Sequence, residues 1–439
     1  MKRKILSLLL LVFYFMVYSQ DKSYFATQNH NPVIPGYFAD PTMVCFNNKY
    51  YLYSTSIEPM VWISDDLQTW EIKPVGISGL NSFWAPSILK GDNGKYYLYY
   101  TSGNDFKCHL YIGESPTGPW IFYDLVEQGF DLQIFRDTNT GKVYGCSSDP
   151  GSRPRLVEFE SNVHNPGYLT KVLKEKSLEG SFFDYTEGSF LLYRDGWYYL
   201  MYSGGKCTSE NYKINYSRSK NIWGPYDDAP NNPILIKNDV KNIFGPGHHS
   251  VFMVNDQYFI VYHRLDYYFY PNTSKRQVCI DKMEFDDKGW IKPIEPTNAG
   301  IDFSKILNSS KKHLKNVAFG KNVTASSING KFNPEFAVDE NYGTYWEGGG
   351  SGFFSVDLAK EYNIEKIIPQ FLNYNIFLMY KIMYSSDNQK WEVYYDQSQY
   401  AQKALTTVVN KPVKARYVMV KFDKVQGNMS LCELEVLAE

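Results

Sequence analysis

The sequence predicts an all-β chain, with a five-bladed β-propeller followed by a β-sandwich. A hydrophobic run with strand character, aromatic-rich in four of five cases, occurs at residues 48–55, 95–101, 142–147, 197–203 and 257–263. Each run follows Asn, Asp or Gly residues, which hairpin turns favour because their central residues need positive φ. Hairpins that recur every roughly 45–60 residues indicate radial repetition, and amphipathic helix periodicity is scarce between them.

The predicted propeller covers residues 20–298. Its blades lie near residues 31–71, 83–120, 130–159, 185–226 and 245–290. Residues 299–315 are polar and include Asn308-Ser309-Ser310-Lys311-Lys312, which predicts a linker. Residues 316–439 contain alternating apolar runs at 353–358, 380–384 and 416–422. A unit of roughly 120 residues with such runs is typical of a β-sandwich.

The amino terminus predicts a secretory signal peptide over residues 1–19. Basic residues at 2–4 precede an apolar stretch at 5–18, and Val17 and Ser19 place small residues before a cleavage site. The apolar stretch is too short for an ordinary membrane span. The first cysteine is Cys45, so a lipoprotein anchor is not indicated. We expect a secreted or periplasmic protein with no membrane span in the mature chain.

Length, charge and cysteine pattern restrict the function classes. A chain of 439 residues exceeds one ordinary domain, and its net charge of −2 offers no electrostatic basis for binding nucleic acid. The 6 cysteines lack the paired spacing of metal sites, so free thiols, largely buried, are expected. The 17% aromatic content suits packed sheets and also sugar binding.

Three acids precede the hairpins of different blades at comparable distances. Asp40 lies ten residues before Tyr50, Asp131 twelve before Val143, and Glu187 eleven before Tyr198. The inner strands of a propeller surround one axis, so these carboxyl groups are expected to meet in one pocket. Glycoside hydrolysis needs such carboxyl groups, one protonated as an acid and one ionised. We therefore predict that the propeller cleaves a glycosidic bond.

The N-terminal two-thirds, about residues 31–298, resembles glycoside hydrolase family 43, the five-bladed propeller enzymes that act on arabinosides and xylosides. The matching motifs are Ala39-Asp40-Pro41-Thr42, Phe83-Trp84-Ala85-Pro86, Phe130-Asp131, Thr186-Glu187-Gly188 and Gly245-Pro246-Gly247-His248. The resemblance implies that Asp40 is the general base, Glu187 the general acid, and Asp131 the residue that tunes and orients the acid. It also implies inversion at the anomeric carbon.

The same resemblance suggests three substrate-binding residues. Trp84 would form an apolar wall, Arg276 would contact the sugar, and His248 matches an axial histidine that in some members holds a cation through water. Ser87, Leu132 and Ser189 depart from the residues that usually stand there in the family. These departures concern the choice of sugar, because the three acids are retained.

The C-terminal unit resembles the discoidin, or coagulation-factor type C, family, which includes family 32 carbohydrate-binding modules. The resemblance covers nearly all of residues 316–439 and includes 316–327, 337–341, 344–346, 354–358 and 433–436. It implies a jelly-roll sandwich. Family members often hold a structural calcium, and Asp339, Thr344 and Glu433 match its ligand positions. Whether this unit binds sugar stays open, because binding loops vary.

Together these features predict an exported, inverting glycoside hydrolase that needs no cofactor for catalysis. It would remove terminal sugars, α-L-arabinofuranosyl or β-D-xylosyl first of all, from plant-type polysaccharides or oligosaccharides. One alternative is another furanosidase or galactosidase specificity, and a second is a non-catalytic glycan-binding protein. A third is a retaining fructan hydrolase on a similar scaffold, although its Asn-Asp-Pro-Asn motif is replaced by Ala39-Asp40-Pro41-Thr42.

Overall fold

The computed structural model describes most of the chain in two β-rich parts. The described residues are 24–27, 31–34, 38–56, 59–77, 82–126, 130–148, 153–165, 168–265, 276–307, 314–341, 344–372, 376–403 and 411–438. The predicted signal peptide over residues 1–19 and positions 308–313 of the predicted linker lie outside them.

Five antiparallel sheets form the blades of the predicted propeller, so the all-β prediction is confirmed. In blades one to four the chain runs from the innermost strand outward, and β1 pairs with the outer edge of blade one. The strands of blades one and two are β1 Tyr24–Thr27, β2 Ala39–Phe46, β3 Lys49–Thr55, β4 Met60–Ser64, β5 Thr69–Pro74, β6 Trp84–Lys90, β7 Tyr96–Thr101, β8 Cys108–Gly113 and β9 Trp120–Val126. Those of blades three to five are β10 Phe130–Arg136, β11 Val143–Ser148, β12 Pro154–Phe159, β13 Val172–Ser177, β14 Tyr185–Arg194, β15 Trp197–Gly204, β16 Lys213–Ser219, β17 Asp227–Asp228, β18 Gly247–Val254, β19 Gln257–Leu265 and β20 Arg276–Met283.

The aromatic runs form the second strand of their blades, which is buried on both faces. In β7, Tyr96 and Tyr100 pack with residues of blade one, whereas Tyr97 and Tyr99 pack with residues of blade three. Successive side chains of a strand point to opposite faces, so a fully apolar run suits a strand between two neighbouring blades. Packing between blades therefore accounts for much of the aromatic content.

The described segment at residues 31–34 closes the ring by pairing with the last blade. Ile34 forms an antiparallel bridge with Val278 in β20, and the Val33 N–H donates to the Val278 carbonyl at 2.7 Å. The Asn31 side chain accepts the Ile280 N–H at 2.8 Å and donates to the Ile280 carbonyl at 3.0 Å. The first described blade and the last are thereby joined through backbone hydrogen bonds.

Part of the predicted linker is ordered against the propeller. A short helix, α1 Phe303–Leu307, buries Phe303 in the same core cluster as Phe252 and Phe259 of blade five. The Asn255 side-chain amide also donates to the Ile306 carbonyl at 2.6 Å. The chain therefore stays in contact with the propeller as far as residue 307.

The C-terminal part is a β-sandwich around one apolar core that includes Trp346, Phe354 and Phe422. Its largest sheet has the order β21-β29-β24-β27-β25-β26, with β22 beside β24, and β23 pairs with β28. The strands are β21 Lys315–Asn316, β22 Asn322–Ala325, β23 Trp346–Glu347, β24 Gly352–Gln370, β25 Phe377–Ser385, β26 Glu392–Lys403, β27 Val413–Val425, β28 Ser430–Leu431 and β29 Glu433–Ala438. A 3₁₀ helix spans Pro334–Ala337.

The cysteines are free and largely buried, as the sequence predicts. All six cysteines lie in the described residues and are free thiols, and four of them are buried: Cys108, Cys146, Cys279 and Cys432. In the described part of the chain no helix is long and apolar enough to cross a membrane.

Candidate active site

Each blade has an irregularity near the start of its innermost strand, and these irregularities build the site. The pairing of the first two strands shifts register there in all five blades. One residue at each shift has left-handed φ: Asp40 at 49°, Ala85 at 40°, Asp131 at 58°, Gly188 at 65° and His248 at 41°. A β-bulge re-aims side chains, so the same local distortion directs one residue per blade toward the axis.

A polar side chain from the preceding blade holds most of these bulges in place. The backbone N–H of Ala85 donates to Thr55 Oγ1 at 2.8 Å, that of Asp131 to Thr101 Oγ1 at 3.0 Å, and that of His248 to Ser203 Oγ at 2.8 Å. Asp40 closes the ring because its N–H donates to His263 Nδ1 at 3.2 Å. Left-handed φ costs a non-glycine residue about 1–2 kcal/mol, and these bonds help to offset that cost.

Glu187 stands one residue before the left-handed position of its blade, which Gly188 occupies. It is therefore not equivalent to Asp40 and Asp131, although all three acids stand at similar distances before the second strand of their blades. A Cβ on Gly188 would lie 3.1 Å from the His248 ring, so glycine suits both the backbone and the space there. The Tyr212 hydroxyl donates to Glu187 Oε1 at 2.7 Å.

Asp40 is surrounded by donors. Arg276 Nη1 lies 3.0 Å from Oδ1, His248 Nδ1 lies 3.2 Å from the same oxygen, and Thr55 Oγ1 donates to Oδ2 at 2.6 Å. Burial acts to raise the pKa of Asp40, but the positive charges of Arg276 and His248 hold it well below its usual value. Asp40 is therefore ionised across the neutral range.

Asp131 and His248 face each other beside Asp40. His248 Nδ1 lies 3.9 Å from Asp131 Oδ2, and both side chains are about nine-tenths buried. Burial and the negative charges of Glu187 and Asp40 raise the pKa of Asp131 to about 7, although His248 opposes the shift. Burial alone would lower the pKa of His248, but the carboxyl groups of Asp40, Asp131 and Glu187 raise it above its usual value.

His263 and Tyr212 form a stacked pair, in which His263 contacts Asp40 and Tyr212 contacts Glu187. Their ring centroids are 5.5 Å apart at an interplanar angle of 8°. His263 Nδ1 is also 3.2 Å from Asp40 Oδ1, but it cannot both accept the Asp40 N–H and donate to that oxygen. Burial lowers the pKa of His263 to about 4, so the neutral ring that accepts is the form we assign.

The structure brings two of the three predicted substrate-binding residues together with the acids. Arg276 and His248 both contact Asp40. Trp84 begins the innermost strand of blade two, beside Ala85, and is 37% exposed. Its ring lies 5.8 Å from that of the exposed Phe106. Trp84 therefore offers an open aromatic surface in the blade between Asp40 and Asp131.

A polar cavity lies next to the three axial residues Asp40, Asp131 and His248. Thr42, Ser87, Gln133 and His249 also line it. Both ring nitrogens of His249 are buried and have no hydrogen-bond partner in the described part of the chain, and burial lowers the pKa of this ring to about 3. Buried polar atoms without partners indicate room for water or an ion. The polar side chains that line this cavity therefore fit the axial cation that the family resemblance implies.

The predicted calcium ligands of the sandwich also lie together. Thr344 Oγ1 is 2.7 Å from Asp339 Oδ2, and the fully buried Glu433 accepts the Glu340 N–H at 3.2 Å. Burial and the negative charges of Asp339, Glu435 and Glu340 raise the pKa of Glu433 well above its usual value. Oxygen donors around excess buried negative charge fit a calcium ion.

Sequence reasoning missed Thr55, Tyr212 and His263. A signal exists for two of them, because the runs at 48–55 and 257–263 end at Thr55 and His263, just as the runs at 95–101 and 197–203 end at Thr101 and Ser203. Tyr212 lies between β15 and β16 and has no such signal. The resulting site combines a carboxylate held ionised with a second carboxyl group held by a neutral donor. This is the pairing that acid–base cleavage of a glycosidic bond uses.

Comparisons with known proteins agree with this geometry. The profile "Glycosyl hydrolases family 43" matches residues 29–291, and "F5/8 type C domain" matches residues 322–435. The chain is 28% identical over 312 residues to Beta-D-galactofuranosidase xynD of Aspergillus niger, covering 63% of this chain and 88% of that protein. It is 30% identical over 238 residues to Xylosidase/arabinosidase 43B of Humicola insolens, covering 48% of this chain but only 44% of that protein.

Solved structures share the fold. A "Glycoside hydrolase" superposes with a TM-score of 0.75 at 23% identity, covering 94% of this chain and 100% of that one. A thermostable family-43 glycoside hydrolase superposes with a TM-score of 0.53 at 29% identity, covering 62% of this chain and 97% of that one. The chain belongs to glycosyl hydrolases family 43 and is a glycosidase, with an F5/8 type C domain after its propeller.

Proposed function

We propose that the protein is an exported glycosidase that removes terminal sugars by a single displacement with inversion. Asp40, Asp131 and Glu187 are its three working carboxyl groups. The observation that most supports this is the setting of Asp40, which three side chains hold ionised at the axis within 3.0, 3.2 and 2.6 Å. A buried carboxylate with so many donors stays ionised at neutral pH, so it can accept a hydrogen bond from the attacking water.

In the proposed step, Asp40 accepts a proton from a water molecule while the water oxygen attacks the anomeric carbon. The C–O bond to the leaving group breaks, and Glu187 gives its proton to the leaving oxygen. The low pKa of Asp40 makes it a weak base, so its contribution is chiefly to position and polarise the water. The products are the free sugar with inverted configuration and the shortened substrate.

Asp131 and Tyr212 prepare Glu187 for its role as the acid. The Tyr212 hydroxyl holds Oε1, which leaves Oε2 to present the proton. Burial and the negative charges of Glu187 and Asp40 raise the pKa of Asp131 to about 7, so Asp131 can stay protonated near neutral pH beside the carboxyl group of Glu187.

The proposed substrates are α-L-arabinofuranosides and β-D-xylosides in plant-type glycans, in line with the names of several relatives. A second candidate is a β-D-galactofuranoside. The relative that matches this chain over 88% of its own length is named a β-D-galactofuranosidase, whereas a Xylosidase/arabinosidase of Thermoclostridium stercorarium matches over 68% and Xylosidase/arabinosidase 43B over 44% of theirs.

A panel of nitrophenyl glycosides tests these candidates. It contains α-L-arabinofuranoside, β-D-xyloside, β-D-galactofuranoside and β-D-galactoside, each assayed with the wild type and with Asp40→Asn. Hydrolysis of one member by the wild type and its loss in the variant support the function and name the sugar. Hydrolysis that survives in Asp40→Asn would contradict the role of the base.

Three further assignments belong to this proposal. Residues 1–19 direct export and are removed, which the mass of the protein recovered from the medium or periplasm tests. The propeller domain ends at 298, and the F5/8 domain starts at 316 after the connector at 299–315. Asp339, Thr344 and Glu433 hold a structural calcium, and His248 stands beside an axial cation that orders the site without taking part in the chemistry.

A further inference from the structure

Blade two differs from the other blades at its outer edge. β9 is seven residues long, and Ile121, Phe122 and Tyr123 are 73%, 49% and 46% exposed. Edge strands with exposed apolar side chains are normally avoided, because they invite other molecules to bind. The outer edges of the other blades in the described residues are protected. β1 covers β5, β13 contains Lys-Glu-Lys, β17 is two residues long, and residues 31–34 cover β20.

These exposed side chains continue inward to the candidate active site. The Phe122 ring lies 5.5 Å from Tyr111 and 6.1 Å from His109. His109 Nε2 is 3.0 Å from Asp105 Oδ2, and Asp105 precedes Phe106, whose ring lies 5.8 Å from Trp84. We call Phe106, His109 and Phe122 the blade-two strip. It runs from the aromatic residue beside the catalytic bulges to the outer edge of the propeller.

Phe106 gives a second, independent indication of a binding role. It is 68% exposed and has a φ of 57°. For a bulky residue this left-handed conformation is an outlier that stores strain, and such strain is concentrated at ligand-binding sites. Gly103 fits the same loop closely, since a Cβ there would lie 2.5 Å from the Trp84 ring. The loop at residues 102–107 thus holds two aromatic rings side by side in an exposed position.

We propose that the blade-two strip binds the rest of a carbohydrate chain whose terminal sugar is held at Asp40 and Glu187. Sugar rings present apolar C–H faces that pack on aromatic rings and hydroxyl groups that suit polar neighbours such as Asp105 and Asp124. The strip is continuous with the candidate active site, which favours a saccharide chain over an unrelated partner. This inference rests on the proposed function and extends it from the terminal sugar to the polymer.

The test separates the strip from the catalytic centre. The variant Phe122→Ala is compared with the wild type and with Leu173→Ala, an exposed apolar residue on the outer strand of blade three, 49% exposed. Native gels containing arabinoxylan or linear arabinan measure binding, and the active nitrophenyl glycoside measures catalysis. We expect polysaccharide binding and kcat/KM on the polysaccharide to fall about tenfold, or about 1.4 kcal/mol. The aryl glycoside should change less than about twofold, and Leu173→Ala should change neither.

The other outcomes contradict the inference in distinguishable ways. Equal binding by the wild type and Phe122→Ala, with or without gel retardation, would overturn it. A parallel loss on the aryl glycoside would assign this residue to the integrity of the fold, and Phe122→Leu then separates loss of the ring from loss of packing. A dimer of the wild type that becomes monomeric in the variant, with binding unchanged, would assign the edge to a second copy of the chain. An inactive wild type that still binds through Phe122 would refute only the proposed function.

Discussion

Replacing Tyr212 by Phe tests how the candidate acid is held. The ring is fully buried and stacks on His263, so the variant keeps its shape and loses only the hydroxyl that donates to Glu187 Oε1 at 2.7 Å. A hydrogen bond to a charged group contributes about 1.5–3 kcal/mol, and Glu187 becomes charged as it gives up its proton, which predicts a loss of roughly 10- to 150-fold in kcat/KM. The free energy of unfolding should fall by only about 1 kcal/mol, because the half-buried Glu187 can accept from water instead.

The assay compares two leaving groups on the same sugar. A dinitrophenyl glycoside departs with little help from an acid, so it should lose much less activity than an unactivated alkyl glycoside or disaccharide. Tyr216→Phe is the matched control, because the Tyr216 hydroxyl is also in a buried tyrosine of blade four and accepts the Ile291 N–H at 2.9 Å. It should cost stability and leave activity unchanged. Equal losses on both leaving groups in Tyr212→Phe would refute the reasoning.

Three other predictions concern the acids and the calcium site. Glu187→Gln should lose about 10²–10⁴-fold on substrates with poor leaving groups and much less on dinitrophenyl glycosides, and equal losses would count against the acid role. Asp131 should lose its proton as the pH rises through about 7, so kcat/KM should fall over that range. Asp131→Asn should reduce kcat/KM about 10²-fold and abolish this basic limb, because the group that titrates there is gone; a limb that persists at the same pH would contradict the assignment. Chelation by EGTA should lower the melting temperature of the F5/8 domain by the equivalent of about 2.7 kcal/mol if calcium had been present at a hundred times its Kd. Glu433→Gln should abolish the difference, and a wild type that melts identically with and without calcium would refute the site.

The propeller could be predicted from the sequence because each blade repeats its local signals. The turn residues before Tyr50, Tyr96 and Tyr198 and the aromatic runs that follow them reflect hairpins and contacts between neighbouring blades. The three acids could be found for the same reason, since they stand near the start of an innermost strand. The position of each acid within its bulge could not be predicted, because Glu187 precedes the left-handed residue Gly188, whereas Asp40 and Asp131 are themselves the left-handed residues.

The contacts between blades could not be predicted from the sequence. Tyr212 reaches Glu187 from outside the strands, and the Thr55 hydroxyl links Asp40 to the bulge of the next blade. Such pairings depend on how blades are oriented about the axis, which no local pattern records. Phe106 and Phe122 likewise have no distinctive sequence pattern, and only the fold shows that they are exposed along one blade.

The measurement that tests the central claim most directly is the configuration of the first product. Proton NMR of the anomeric signal during early hydrolysis of the active glycoside, before mutarotation, distinguishes the two outcomes. If Asp40 activates water while Glu187 protonates the leaving oxygen, the sugar is released with inverted configuration. A product with retained configuration would mean that one of these carboxyl groups attacks the sugar itself, and it would contradict the assignment of Asp40 as a base.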